Sequence, residues 1–182
     1  MRAATSPPPE DDGAAGPDDP ESVARIICLR ALSQRARTRA ELAATLTAKG
    51  VPDAAANTVL DRFTEVGLIN DNALAVEFAQ AAHAERGLSR RAVATKLRQR
   101  GVDDEVITTA VSGIDAESER AAALELARRK AGSLRGLDTP VQVRRLVGLL
   151  ARRGYAPGLA YAVTREVLAD VACLEPLDLG DG

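Results

Sequence analysis

Apolar residues recur along this chain at helical spacing, and the pattern breaks and restarts at glycines. In residues 89–111, Ser89 can cap a helix whose apolar positions Val93 and Leu97 lie four apart, on one face. Gly101 stops that helix, and Asp103 can cap the next, which carries Val106, Ile107, Ala110 and Val111. Two other glycines sit in the same surroundings. Eight and four residues before Gly50, Gly101 and Gly154 stand Leu42 and Leu46, Val93 and Leu97, and Leu146 and Leu150. The residue before each glycine is basic (Lys49, Arg100, Arg153), and the one after is apolar (Val51, Val102, Tyr155). Nine positions beyond the glycines come Val59, Ala110 and Val163. One such segment is ordinary, since cations suit a helix C-terminus and glycine suits the residue after it. Three copies, with glycines 51 and 53 residues apart, predict an internal repeat.

Read in order, the pattern predicts nine helices. Asp19-Pro20-Glu21 opens the first, which runs to about Gln34 with Val23, Ile26, Ile27, Leu29 and Leu32 as its apolar stripe. Thr38-Arg39-Ala40-Glu41 matches a capping box for the second, which ends at Gly50. Pro52 and Asp53 start the third, carrying Val59, Leu60 and Phe63 and ending at Gly67. Leu68 and Ile69 are expected to plug the junction with the following unit, and Asn70 to cap the fourth helix, with Leu74, Ala75, Phe78 and Ala82 inward. Helices five and six occupy the stretch described above. The seventh covers about 115–131, with Ala122, Leu124, Leu126 and Ala127 apolar. Thr139 and Pro140 open the eighth as N-cap and first residue. Pro157 starts the ninth, with Leu159, Val163, Val167 and Leu168. No stretch alternates as a strand would. The expected fold is all-α: an elongated array of three tandem three-helix repeats at 20–69, 70–114 and 115–171. An acidic, proline-rich tail, expected to be disordered, precedes it at 1–19, and a second acidic tail follows at 172–182.

Charge sharpens that picture. The 182 residues carry a net −2. Residues 1–24 hold one arginine against six acids, residues 175–182 hold three acids, and the 150 residues between them are +6. A basic body between acidic tails favours polyanions or acidic protein surfaces, with the tails opposing that preference. Aromatic residues make up only 2% of the chain, so bases have little to stack on, and any nucleic-acid contact would be to phosphates. No apolar run reaches the ~20 residues of a membrane span and no signal peptide is evident, so a cytoplasmic protein is expected. Cys28 and Cys173 fall in apolar helical patterns and read as small core residues.

Reaction chemistry finds few candidates, and no cofactor or metal is expected. There is no phosphate-cradling glycine loop and no strand feeding a glycine-rich turn. His83, the single histidine, lies among alanines and reads as solvated or partly packed. Two cysteines and one distant histidine cannot form a structural zinc site. Asp103, Asp104 and Glu105 sit where acids offset a helix dipole. The informative constellation is basic. Arg90, Arg91, Lys96, Arg98 and Arg100 lie on or beside helix five, and Arg144, Arg145, Arg152 and Arg153 on helix eight. Arg39 and Lys49 echo them on helix two, and Arg128, Arg129, Lys130 and Arg135 fill a connection. Arginine dominates, and its forked guanidinium suits carboxylates and phosphates. A solvated helix face and a binding surface both fit such runs. A helix-turn-helix nucleic-acid binder is one class open to this pattern.

Phe63-Thr64-Glu65-Val66-Gly67-Leu68-Ile69-Asn70-Asp71, then Ala75, Phe78, Gly87, the helix over 91–97 and Arg100-Gly101-Val102 together resemble the regulatory protein RecX family. The resemblance covers residues 23–170. The family usually has Asp where Asn70 stands and Trp or Tyr where Phe78 stands. Both changes keep the helix cap and the apolar plug. The resemblance implies a non-enzymatic modulator of the RecA recombinase, built of three-helix repeats that lodge in the groove of the RecA–single-stranded DNA filament. It implies inhibition of ATPase, strand exchange and co-protease activity, with the RecA filament as partner and single-stranded DNA phosphates as a further contact. A monomer is expected.

Overall fold

The computed structural model describes residues 19–174, with side chains to Asp170. Of the expected tails at 1–19 and 172–182, residues 1–18 and 175–182, and the side chain of Cys173, lie outside the described residues; Asp19 instead caps α1, and α9 runs on to Leu174, inside the expected second tail. Nine α-helices occur among the described residues: α1 Pro20–Leu32, α2 Arg39–Ala48, α3 Asp53–Glu65, α4 Asp71–Ala84, α5 Arg90–Gln99, α6 Asp104–Val111, α7 Ala116–Ala131, α8 Thr139–Arg152 and α9 Pro157–Leu174. No strand is present among them. A single 3-10 turn, Gly132–Leu134, follows α7.

The caps explain most starts. Asp19, Asn70, Ser89, Asp103 and Asp115 each accept a backbone N–H from the first turn of α1, α4, α5, α6 and α7. At Asp115, the Ser118 amide and hydroxyl bonds hold the carboxyl below its ordinary pKa. α8 departs from expectation. Its N-cap is Asp138 rather than Thr139, with no side-chain cap bond, and Thr139 and Pro140 form its first turn.

The chain forms two compact units. The first comprises residues up to Arg37 together with Glu41–Ile69. Its core contains Ala24, Cys28, Leu42, Leu46, Val59, Leu60 and Phe63, with Ile69 at its edge. The expected α1 stripe is partly overturned. Ala24, Cys28 and Ala31 face inward, Val23, Ile27 and Leu32 flank them, and Ile26 and Leu29 are exposed. Small residues let helices approach closely, so the seam follows alanine and cysteine rather than the bulkiest side chains. Burial raises the Cys28 thiol's pKa, as suits an inert core residue. Leu68 does not plug a junction; it is 49% exposed, while Ile69 packs in this first core.

The second unit takes in Thr38–Ala40 and the chain from Asn70. It holds two cores. One is built by α4, α5 and α6 around Val93, Leu97 and Ile107. The other is built by α7, α8 and α9 around Leu146, Leu150, Tyr155 and Val163. On α7 the inward residues are Ala123, Leu126, Ala127 and Ala131; Ala122 and Leu124 are only partly buried.

Within this second unit one packing device occurs twice. The Arg153-Gly154-Tyr155 turn sits on the start of α5. Ser89 donates its backbone N–H to the Arg153 carbonyl (3.0 Å), and the Tyr155 hydroxyl donates to the Gly87 carbonyl (3.1 Å). A Cβ on Gly154 would lie 2.5 Å from Ser89 Oγ and 2.7 Å from Ala92 Cβ. Glu119 of α7 accepts the Arg90 backbone N–H at 2.9 Å. The Arg100-Gly101-Val102 turn meets Thr38–Ala40 in the same manner. The Thr38 hydroxyl donates to the Arg100 carbonyl (2.7 Å), and Asp71 accepts the Arg39 backbone N–H (3.0 Å). A Cβ on Gly101 would lie 2.4 Å from Ala40 Cβ. Thr38 and Ser89 are both fully buried, which fits their place at these seams.

Candidate functional site

The basic residues on and beside α5 and α8 divide by what surrounds them. Arg90, Arg91 and Lys96 on α5, and Arg144, Arg145 and Arg152 on α8, are exposed. On each helix the inward positions, Val93 and Leu97 or Leu146 and Leu150, hold the opposite face in a core, so the cations are presented outward. Arg98 is exposed but pairs with Asp104 at 2.6 Å. Arg100 and Arg153 are half-buried and serve the fold. The Arg100 guanidinium lies 5.6 Å from the centre of the Phe78 ring, and that of Arg153 donates to the Arg86 carbonyl. Arg128 is tied to Asp170 and Arg129 to Glu125.

Register from the glycines separates these roles. The cation immediately before the glycine occurs in all three segments, as Lys49, Arg100 and Arg153. Ten positions before the glycine the residues are Ala40, Arg91 and Arg144; three before, they are Thr47, Arg98 and Ala151. The recurring cation therefore marks the turn, whereas the exposed arginines of α5 recur only in part: Arg90 is matched by Arg39 and Arg91 by Arg144, and Arg98 by neither other segment.

Arg90, Arg91 and Arg98 wall a cleft of about 470 Å³ in the second unit. Its floor is apolar, with Ala94, Val111 and Leu159. Glu119, held by the Arg90 backbone N–H, stands at its side. The three arginines are legible in the sequence and the cleft is not, because its far wall comes from the start of α9, more than fifty residues away. Gly154, which the close approach of the turn requires, was the available signal.

Among the described residues, His83, Asp103 and Asp104, weighed for reaction chemistry, have partners within the fold. The His83 Nδ1 lies 2.8 Å from the Leu88 carbonyl, a partly packed histidine as expected. Asp103 caps α6 and Asp104 pairs with Arg98. Among the described residues no group of three or more His, Cys, Asp or Glu side chains could hold a metal ion. No helix among them is long and apolar enough to cross a membrane.

Comparison with known proteins agrees with the architecture. Residues 24–63, 70–111 and 117–164 match the family models for the first, second and third three-helix domains of RecX. The chain is 49% identical over 156 residues to the regulatory protein RecX of Thermobifida fusca, covering 86% of this chain and 84% of that one. It is 45% identical over 173 residues to that of Streptomyces coelicolor, covering 90% and 92%. Its fold resembles the crystal structure of RecX from Lactobacillus salivarius, with a TM-score of 0.72 at 17% identity, over 83% of this chain and 98% of that one. With its three tandem three-helix domains matched in order and two such relatives aligned over most of its length, this chain belongs to the RecX family of regulatory proteins.

Proposed function

We propose that this protein is a negative modulator of the RecA recombinase, acting as a monomer that binds the RecA–single-stranded DNA filament. In this reading it inhibits the filament's ATPase, strand exchange and co-protease activities by occupancy rather than by chemistry. The observation that carries it is the pair of outward arginine faces on α5 and α8 in a member of this family. Cations held by helices with buried opposite faces are pre-organised for acidic protein surface or phosphate. Contacts shared among several such faces give avidity without a reactive pocket.

The test is titration of the protein against RecA ATPase on single-stranded DNA. Native protein is expected to suppress turnover. Reversing charge at Arg90, Arg91, Arg144 and Arg145 to glutamate is expected to weaken suppression by about tenfold and to change its salt dependence. Full suppression by that variant at moderate salt rejects the assignment of the surface. Tight sequence-specific duplex binding by the protein alone, with RecA turnover untouched, would instead establish a helix-turn-helix regulator.

A further inference from the structure

The cleft between α5 and the start of α9 has a chemistry of its own. Arg91, Ala94 and Arg98 line it from one face of α5. The two arginines are seven residues apart, so their helix positions are separated by about 10 Å along the axis. Between them the surface is apolar, from Ala94 and from Val111, Pro157 and Leu159 opposite. No aromatic side chain lines the cleft, so it offers a nucleobase no stacking partner. Glu119 adds an acceptor beside the arginines. A peptide N–H can donate to that carboxylate, whereas a phosphodiester backbone has no donor to offer it.

We propose that this cleft binds an extended acidic segment of protein, in which two carboxylates three residues apart flank an aliphatic side chain. In an extended segment of polyproline-II form, with three residues per turn and about 3.1 Å per residue, residues three apart lie on one face about 9 Å apart, close to the spacing of Arg91 and Arg98. Each carboxylate meets one guanidinium, the aliphatic side chain rests on the apolar floor, and a backbone N–H meets Glu119. Arg98 is free to take part because its partner Asp104 is exposed, with both side chains more than half accessible, and such surface pairs exchange readily. The inference rests on the reading above for the source of the segment, the recombinase subunit. The cleft itself is defined by its lining.

The probe is a fluorescein-labelled hexapeptide, Gly-Asp-Leu-Ala-Asp-Gly, titrated with the full chain and followed by anisotropy. A matched peptide with serine for leucine and an unlabelled oligothymidylate competitor complete the set. Arg91→Ala combined with Arg98→Ala is expected to weaken peptide binding about tenfold. Ala94→Phe, which fills the cleft and keeps every charge, is expected to do the same, while Arg30→Ala combined with Arg62→Ala, exposed cations outside the proposed surface, leaves it unchanged. Circular dichroism confirms that each variant is folded. Equal binding of the leucine and serine peptides, or undiminished binding by Ala94→Phe, overturns the proposal. So does an oligothymidylate that displaces the peptide at equal charge concentration. ATPase titrations separate the two readings. If native protein suppresses RecA turnover and the Ala94→Phe variant suppresses it equally, the recombinase is not the source of the segment. If native protein leaves turnover untouched, the functional reading fails, and the peptide titrations alone decide the cleft.

Discussion

Tyr155 is 2% exposed, and its hydroxyl donates to the Gly87 carbonyl across 68 positions of sequence. Burial, and then the negative charge of Glu119, push its pKa up to about 12, against a smaller opposing effect from Arg153. The fold therefore prefers the neutral phenol, and the native state holds its proton where the unfolded chain has lost it. This contribution is fully present below pH 10, the phenol's ordinary value, and is lost as pH rises toward 12. Tyr155→Phe removes the titrating group. In chemical denaturation, native protein should lose about 2 kcal/mol more than the variant between those limits. At neutral pH the variant should be weaker by about 1–2 kcal/mol, because the Gly87 carbonyl loses its donor. A variant with the same alkaline slope as native protein would show that Tyr155 is not the group responsible. Arg153, beside it, shows a similar economy of place. The residue before the glycine was read from sequence as part of a binding surface, yet its guanidinium serves the seam by donating to the Arg86 carbonyl.

At the scale of elements, the glycine turns set what the helices can pack against. Gly50 and Gly154 share a left-handed backbone, at φ 74° and 89°, but differ in surroundings. Nothing lies within 4 Å of a Cβ placed on Gly50, whereas one on Gly154 would overlap Ser89 and Ala92. Gly50→Ala should therefore cost only the backbone strain, about 1–2 kcal/mol. Gly154→Ala should add a steric penalty, for a total of about 3 kcal/mol or more, and should separate the α8–α9 turn from α5. Thermal melts of the two variants check the ordering, and equal losses would remove the seam from the account. The glycines, the cations before them and the inward positions four apart were legible in sequence, because helix termination is local chemistry. What each turn packs against was not, since Arg153 and Arg86 meet through the fold alone. The α1 stripe was misread for a related reason. Periodicity weighted Ile26 and Leu29, but the packing chose Ala24, Cys28 and Ala31, where little side-chain bulk keeps helices apart. The exposed arginines of α5 and α8 could be named from sequence, but the cleft needed the α9 wall.

For the whole molecule, charge is the quantity that sequence distributes most unevenly. Residues 25–174 carry +6, yet the complete chain carries −2. Residues 1–18 alone hold four acids against one arginine, a net −3. If arginines on α5 and α8 are the gripping groups, acids tethered to the same chain compete with any anionic partner at high effective concentration. Deleting residues 1–18 takes the net charge from −2 to +1. The shortened chain should then suppress RecA turnover on single-stranded DNA at about a threefold lower concentration in low salt. Because the opposing term is Coulombic, the gain should vanish when salt is raised to about 0.3 M, where charges are screened within a few ångströms. The comparison also tests the surface. In the Arg90→Glu, Arg91→Glu, Arg144→Glu, Arg145→Glu background, deletion of the tail should bring little benefit, because the cations it opposes are gone. An equal gain in both backgrounds would place the tail's effect elsewhere on the chain, and weaker suppression after deletion would make those acids part of the contact rather than its competitor.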